Sequence, residues 1–477
     1  AMASVSRMEG RALAAERKVD ALMDAATADA RKMRGLEARI EELEGMVAKL
    51  TAQVRRDFEN SSIPSSAQGP GRKKIPNTRR ATGRRPGAQP GHPHHPRRAP
   101  EPTATVAIAD PEGWDADPDL YRTGEERRKL VVSARVAVEV TEYVANVWRR
   151  RSTGGRLHAP FPEGVSDELT YDGSCKALAF LLSNECCVSL ARASTFLREA
   201  SGGALDMSVG MVCGLAGEFS EKSEPERRAA LESLLSSPVM HADFTVANVG
   251  GEQRQVLILA NGGATMMLAR EHKGHDGVRG TPLESYVGTV SHDHDVTFYK
   301  YGTSHQECMQ HAIRYLVGST QNEPHLTWNS LMLDHVRSML HWRNSLPPGG
   351  EPDPAEVAAM ESRYDEILGL AESEYAEHPP SKYYREGYNL FVRMRDYRDS
   401  HLLFLHDPDV EPDNSRCERK ARVFKRKQHE CTCFRSFESL SHVCDGIATV
   451  DTMRAAGKDV FAEAVDIFGR PRPVAKG

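Results

Sequence analysis

Three acidic residues stand where an acid is costly or crowded by opposite charge. Asp243 lies inside the apolar run Val239-Met240-His241-Ala242-Asp243-Phe244-Thr245-Val246, where a carboxylate is unfavourable unless it is paired or bound to a cation. Asp293 follows a second apolar stretch, Tyr286–Ser291, and is itself followed by His294-Asp295. Glu418 opens a segment dense in Arg416, Arg419, Lys420, Arg422, Lys425, Arg426 and Lys427. Three carboxylates converging from separate elements would hold two divalent ions that clamp a phosphodiester. Arg416, Arg419, Arg422 and Lys425 would then neutralise phosphate oxygens beside them. Blander readings stay open. Asp243 fits a buried acid bonded to backbone amides, and Ser415-Arg416-Cys417-Glu418 fits an S-x-x-E capping box.

Other groups carry weaker signals. His305, Cys308 and His311 have metal-like spacing, but no CxxC pair occurs anywhere in the chain, so no zinc site is expected. Cys431 and Cys433 read as ordinary buried thiols. The nine cysteines, odd in number and scattered, argue against a disulfide framework and for a reducing compartment. Net charge is −5, yet residues 61–100 hold Arg72, Lys73, Lys74, Arg79, Arg80, Arg84, Arg85, Arg97 and Arg98 without a single acid. Such asymmetry points to a polyanion, with phosphate contacts that weaken as salt rises.

These residues need elements to place them. Met33, Leu36, Ile40, Leu43, Val47, Leu50 and Val54 alternate in steps of three and four, the seam of a dimerising coiled coil over 1–59. Residues 60–100 form a proline-rich basic arm with too little apolar mass to fold alone. Alternation such as Val131–Val140 predicts a small β-rich module over 101–165. Residues 166–236 read as helical, with Ser208 capping a helix after the Gly202-Gly203 turn; a helix-turn-helix is one option there, ordinary packing the other. Strands with glycine turns fill the first part of a core over 237–325. A helical insertion follows over 326–410, and 411–477 completes the core. From His305 onward helices are expected at 305–317, 327–345, 354–377, 389–405, 414–427 and 451–468. No apolar run is long enough for a membrane span, and the polar start lacks a signal-peptide pattern.

Asn60-Ser61-Ser62-Ile63-Pro64-Ser65-Ser66 followed by Gly83-Arg84-Arg85-Pro86-Gly87-Ala88-Gln89-Pro90-Gly91-His92 resembles the post-coil basic segment of the insertion sequence 66 family of bacterial DDE transposases. His241-Ala242-Asp243 resembles the strand bearing that family's first catalytic acid. His292-Asp293 with Tyr299-Lys300-Tyr301, His305, Cys308 and His311 resembles the second. Asp413-Asn414-Ser415-Arg416-Cys417-Glu418-Arg419 with Cys433-Phe434-Arg435-Ser436 resembles the third. The resemblance runs in order over about residues 35–470. It implies a mixed α/β fold: an RNase H-like core with a long helical insertion, preceded by small DNA-binding modules. It further implies catalysis by Asp243, Asp293 and Glu418 with two Mg²⁺ (or Mn²⁺) ions, cleaving element ends and transferring strands into target DNA. The implied partners are double-stranded DNA, a second copy of the chain and small companion proteins of the same element. The implied place is the bacterial cytoplasm, near the nucleoid.

Departures from the pattern are specific. Phe244-Thr245 stands where the family has Glu-Thr, and the CxxC pairs expected between about 110 and 160 are absent, so no zinc ribbon is expected. Asp293-His294-Asp295 replaces Asp-Gly-Tyr/Trp, which leaves Asp295 as an alternative ligand. The competing reading is a catalytically decayed or repurposed transposase acting as a dimeric DNA-binding regulator; a plain nuclease with a related core comes third.

Overall fold

The computed structural model describes residues 2–57, 59–61, 91, 99–165, 167–347, 350–380 and 382–471. Every basic residue named in the 61–100 arm lies outside the described residues. The chain divides into two compact units, one of residues 1–72, 160–194 and 208–477, the other of 73–159 and 195–207.

Helix α1 (Met2–Arg55) begins the larger unit. Its predicted seam is open to solvent, from 46% exposed at Leu43 to 86% at Val54. Its later part meets the rest of the unit: Gly45 closely approaches the Tyr383 ring, Ala52 is buried, and just past its end Asn60 Nδ2 donates to Gln321 Oε1 at 2.7 Å. In the smaller unit, the described residues hold one ladder, β1 (Trp148–Arg149) antiparallel to β2 (Arg156–Leu157). The alternating run around Val131–Val140 carries no ladder, and Val131, Val132 and Val140 are exposed. Alternation alone does not make a sheet when no second layer covers its apolar face.

Helices α2 (Gly173–Phe180), α3 (Leu190–Ala200), α4 (Val209–Lys222) and α5 (Glu224–Leu235) follow. Ser208 caps α4 as expected, its side chain accepting from the Met211 amide. A five-stranded sheet is then built from β3 (Val239–Val249), β4 (Glu252–Ala260), β5 (Thr265–Arg270), β6 (Thr289–His292) and β7 (Ser304–Glu307), with the four-residue helix α6 (His275–Val278) between β5 and β6. Strand order is β5-β4-β3-β6-β7. The first three strands form an antiparallel meander, whereas β6 and β7 run parallel to β3. Gly250 and Gly251, both at positive φ (58° and 89°), make the two-residue turn joining β3 to β4.

Period-two alternation assigns β3 two faces. Ala247 and Val249 pack with Val256, Ile258, Cys417 and Phe424, beneath α12 (Ser415–Cys431) and α13 (Phe437–Ala455). Met240 and Ala242 pack on the other side with Leu234, Leu257, Val278 and Phe298. Between β7 and α12 stand α7 (Met309–Asn322), α8 (Trp328–Ser345), α9 (Pro354–Glu377), α10 (Glu386–Asp396) and α11 (Arg398–His406). These five share a core containing Trp328, Tyr364, Phe391 and Phe404. The last helix is α14 (Val460–Gly469). His305, expected to open a helix, pairs instead with Val290 in the β6–β7 ladder. Four residues are too few to announce a strand whose stability comes from a distant partner. Among the described residues no helix is long and apolar enough to cross a membrane.

Candidate active site

Asp243 sits in the middle of β3, paired with Ile258 across the meander. Its parity is that of Ala247 and Val249, so its side chain faces α12. On the other edge of β3, His241 is in register with Ser291 of β6. Asp243 and Asp293 therefore each stand two residues beyond a matched parallel pair, Asp293 directly after the end of β6. Glu418 lies in the first turn of α12, the helix packed over that face.

The electrostatics agree with this placement. Burial, then the charge of Asp293, then that of Glu418 push the Asp243 carboxyl well above the usual range. Burial also raises Asp293, partly offset by Lys273. Asp243 thus feels both other acids. The three are not collapsed onto one point, however. Among the described residues, the one group of three metal-capable side chains with ligand atoms all within 4.8 Å of one another is Cys308, His311 and Glu418.

Lys273, on the loop after β5, is the cation set against the acids. Its Nζ lies 3.0 Å from Asp295 Oδ2, and the charges of Asp293 and Asp243 help raise its pKa. Asp295 also accepts from the Thr297 amide at 3.0 Å. Burial would raise its carboxyl, but Thr297 and Lys273 outweigh burial and hold it below the usual range. Asp295 thereby accepts from a local amide and pairs with Lys273, while the charge of Asp293 acts on Asp243. Phe244 points away from them: its ring stacks on Phe298 at 5.5 Å on the opposite face of the sheet.

The capping-box reading of Glu418 does not form. The N-cap residue is Asn414, without a side-chain cap bond, so Glu418 is not tied back to the cap amide. Asn414 works across the fold instead. Its Nδ2 donates to the Ala242 carbonyl at 2.9 Å, its Oδ1 accepts from His241 Nδ1 at 3.1 Å, and its own amide donates to Cys308 Sγ at 3.3 Å. One buried amide thereby pins the start of α12 to β3 beside the first acid.

A second buried hub holds the loop after Asp293. Glu307, opposite His292 in the β6–β7 ladder, is wholly buried. It accepts from His294 Nδ1 at 2.7 Å, from Arg393 Nε at 2.7 Å and from the Tyr299 hydroxyl. His401 Nε2 lies 3.1 Å away. Burial would raise this carboxyl, but His401, His294 and Arg393 hold it far below its ordinary value. Asn414 falls within the 413–419 segment, whereas Arg393 and His401 carry no spacing signal at all.

The basic residues of α12 divide by side. Arg416 makes a two-pronged pair with Glu411, at 2.9 and 2.6 Å. Lys425 is half-buried and donates to the Val246 carbonyl, and burial lowers its pKa. Lys420 pairs with Asp451 at 2.6 Å. Arg419 and Arg422 are exposed, Arg422 reaching Glu418 at 3.4 Å.

His305 stays apart from the close Cys308–His311–Glu418 group, its Nδ1 meeting His292 Nε2 at 3.3 Å. No curated protein matches this chain. The family model described as Transposase IS66 family matches residues 171–441, a span that holds the whole sheet and all three acids.

Proposed function

The chain belongs to the transposase IS66 family, and from that premise we propose that Asp243, Asp293 and Glu418 form the strand-cutting and strand-joining centre of a DNA transposase. The observation that carries the reading is that Asp243 on β3 and Asp293, directly after the parallel strand β6, are close enough for the charge of Asp293 to act on Asp243, as does that of Glu418 from the helix above. The sheet supports an RNase H-like core: three antiparallel strands, then two parallel to the first, in the order 3-2-1-4-5. Helices α7–α11 are then an insertion between the second and third acids.

Half-buried carboxylates are hard oxygen donors, and the charges of Asp293 and Glu418 both disfavour the ionised Asp243, an arrangement that suits Mg²⁺ or Mn²⁺. When bound, two such ions would activate an attacking water and stabilise a departing 3′-oxygen. The chain's own residues do the rest. Lys273 offsets the acids' repulsion, and Asn414 fixes the angle of α12. Glu307 holds the Asp293 loop, and Arg419 and Arg422 meet phosphates at the exposed side of the helix. The freed 3′-hydroxyl attacks target DNA in a second in-line displacement, and no side chain becomes covalently joined to the nucleic acid. The open seam of α1 would pair two copies, so that two element ends are held together.

The test uses a plasmid carrying the element's own ends. Asp243→Asn and Glu418→Gln should bind those ends as the parent does, yet lose Mg²⁺-dependent cleavage by at least about a hundredfold. Undiminished cleavage by either variant rejects the centre. Phe244 and the missing zinc ribbon leave a decayed, regulatory protein as the alternative; retained binding with no cleavage by the parent would favour it.

A further inference from the structure

Cys308, His311 and Glu418 reach one another from two elements that the chain separates widely. Cys308 directly follows β7 and caps α7, His311 lies in the first turn of α7, and Glu418 lies in the first turn of α12. Their candidate ligand atoms all fall within 4.8 Å of one another. His311 Nε2 stands 4.0 Å from Glu418 Oε1, and His311 Nδ1 is buried without a hydrogen-bond partner. Cys308 is buried, its sulfur receiving the Asn414 amide at 3.3 Å.

We propose that these three side chains form a second metal site, selective for a thiophilic divalent cation such as Zn²⁺, and that filling it withdraws Glu418 from the magnesium centre. The second clause rests on the transposase reading; the first does not. A thiolate, an imidazole and a carboxylate are the mixed donor set zinc accepts, with a fourth position left for water. Magnesium has no use for sulfur or nitrogen donors, so the two sites select different ions and share one carboxylate. Ligand atoms about 2.0–2.3 Å from a common ion lie roughly 3.3–3.7 Å apart, so the present spacing needs a closure of about an ångström. The Asn414 amide is already aimed at the sulfur, the kind of outer contact that orients a ligand and stabilises its charge. An ordinary buried cysteine and a packing histidine would need no carboxylate beside them. Binding must displace the thiol proton, so affinity rises with pH.

The experiment uses the full chain without DNA, stripped of metal and titrated with Co²⁺ as a spectroscopic stand-in for Zn²⁺. The parent should show a thiolate-to-cobalt charge-transfer band that saturates at one equivalent. Asp243→Asn should retain that band, which separates this site from the magnesium centre. Cys308→Ser, which keeps an acceptor for the Asn414 amide, should lose it and bind Zn²⁺ at least about tenfold more weakly. His311→Gln, a second variant, should keep the band with weakened affinity. In the cleavage assay, micromolar Zn²⁺ should inhibit the parent at fixed Mg²⁺. Absence of the band in the parent, or its persistence in Cys308→Ser, overturns the site. A normal band with zinc-insensitive cleavage overturns the withdrawal of Glu418. A normal band in a protein that never cleaves upholds the site and counts against the transposase reading instead.

Discussion

Asp243 and Asp293 each lie two residues beyond the in-register pair His241 and Ser291 on adjacent parallel strands, so two acids fifty positions apart come close enough for the charge of Asp293 to act on Asp243. Burial and the neighbouring charge both disfavour ionised Asp243. Asp243→Asn should therefore stabilise the metal-free protein at pH 7 by about 1 kcal/mol, the usual trade of stability against a functional site. Thermal melting without divalent ions checks this. A lower melting temperature for the variant would show that Asp243 is a structural acid.

Glu307 carries a different expectation, because two of its partners, Arg393 on α10 and His401 on α11, come from helices far along the chain. Arg393→Ala would leave a buried carboxylate facing two histidines and a tyrosine, at a cost of about 3–5 kcal/mol. Arg393→Lys should recover only part of this, since a lysine cannot reproduce the fork of Nε and Nη2 on one carboxylate. Chemical denaturation measures both. Equal stability of the lysine variant and the parent would remove the bidentate contact from the account.

Acid should act on the helical layer through Glu218. This acid on α4 accepts from Lys176 Nζ of α2 at 2.9 Å and lies 2.8 Å from Lys222 Nζ. Burial raises its carboxyl, but the two ammonium groups outweigh burial and leave it below its ordinary value of 4.5. A depressed carboxyl contributes stability above its unfolded value and loses it as pH falls through the folded one. Glu218→Gln should be less stable by about 3 kcal/mol at neutral pH, with the deficit shrinking between about pH 5 and pH 3. Parallel stability curves for variant and parent would contradict this.

The apolar seam of α1 predicts association. If a second copy covers the seam, replacing Leu36 and Leu43 together by Asp should halve the mass seen in light scattering and leave the melting temperature unchanged. An unaltered mass would assign the seam to something other than a second copy.

Local pattern revealed several pieces directly. The acids stood out because they break apolar runs or sit among cations, and the meander was legible from alternation with glycine turns. Ser208 announced its helix because a cap is a contact within one turn. Val131–Val140 had the same alternation, yet no ladder forms there among the described residues, because alternation says nothing about what covers the apolar face.

What the amino-acid order determined by itself was residue chemistry, family and most helices, all properties of neighbours along the chain. Tertiary structure decided the partners of the acids: Asp295 is held by Thr297 and Lys273, and the charge of Asp293 acts on Asp243. It also decided that Glu418 is not a cap, that Lys425 turns inward, and that Cys308 and His311 meet that same glutamate. Most of these depend on strand register or on helix packing between segments far apart in the chain, and the energies that set them arise only when distant surfaces are buried together.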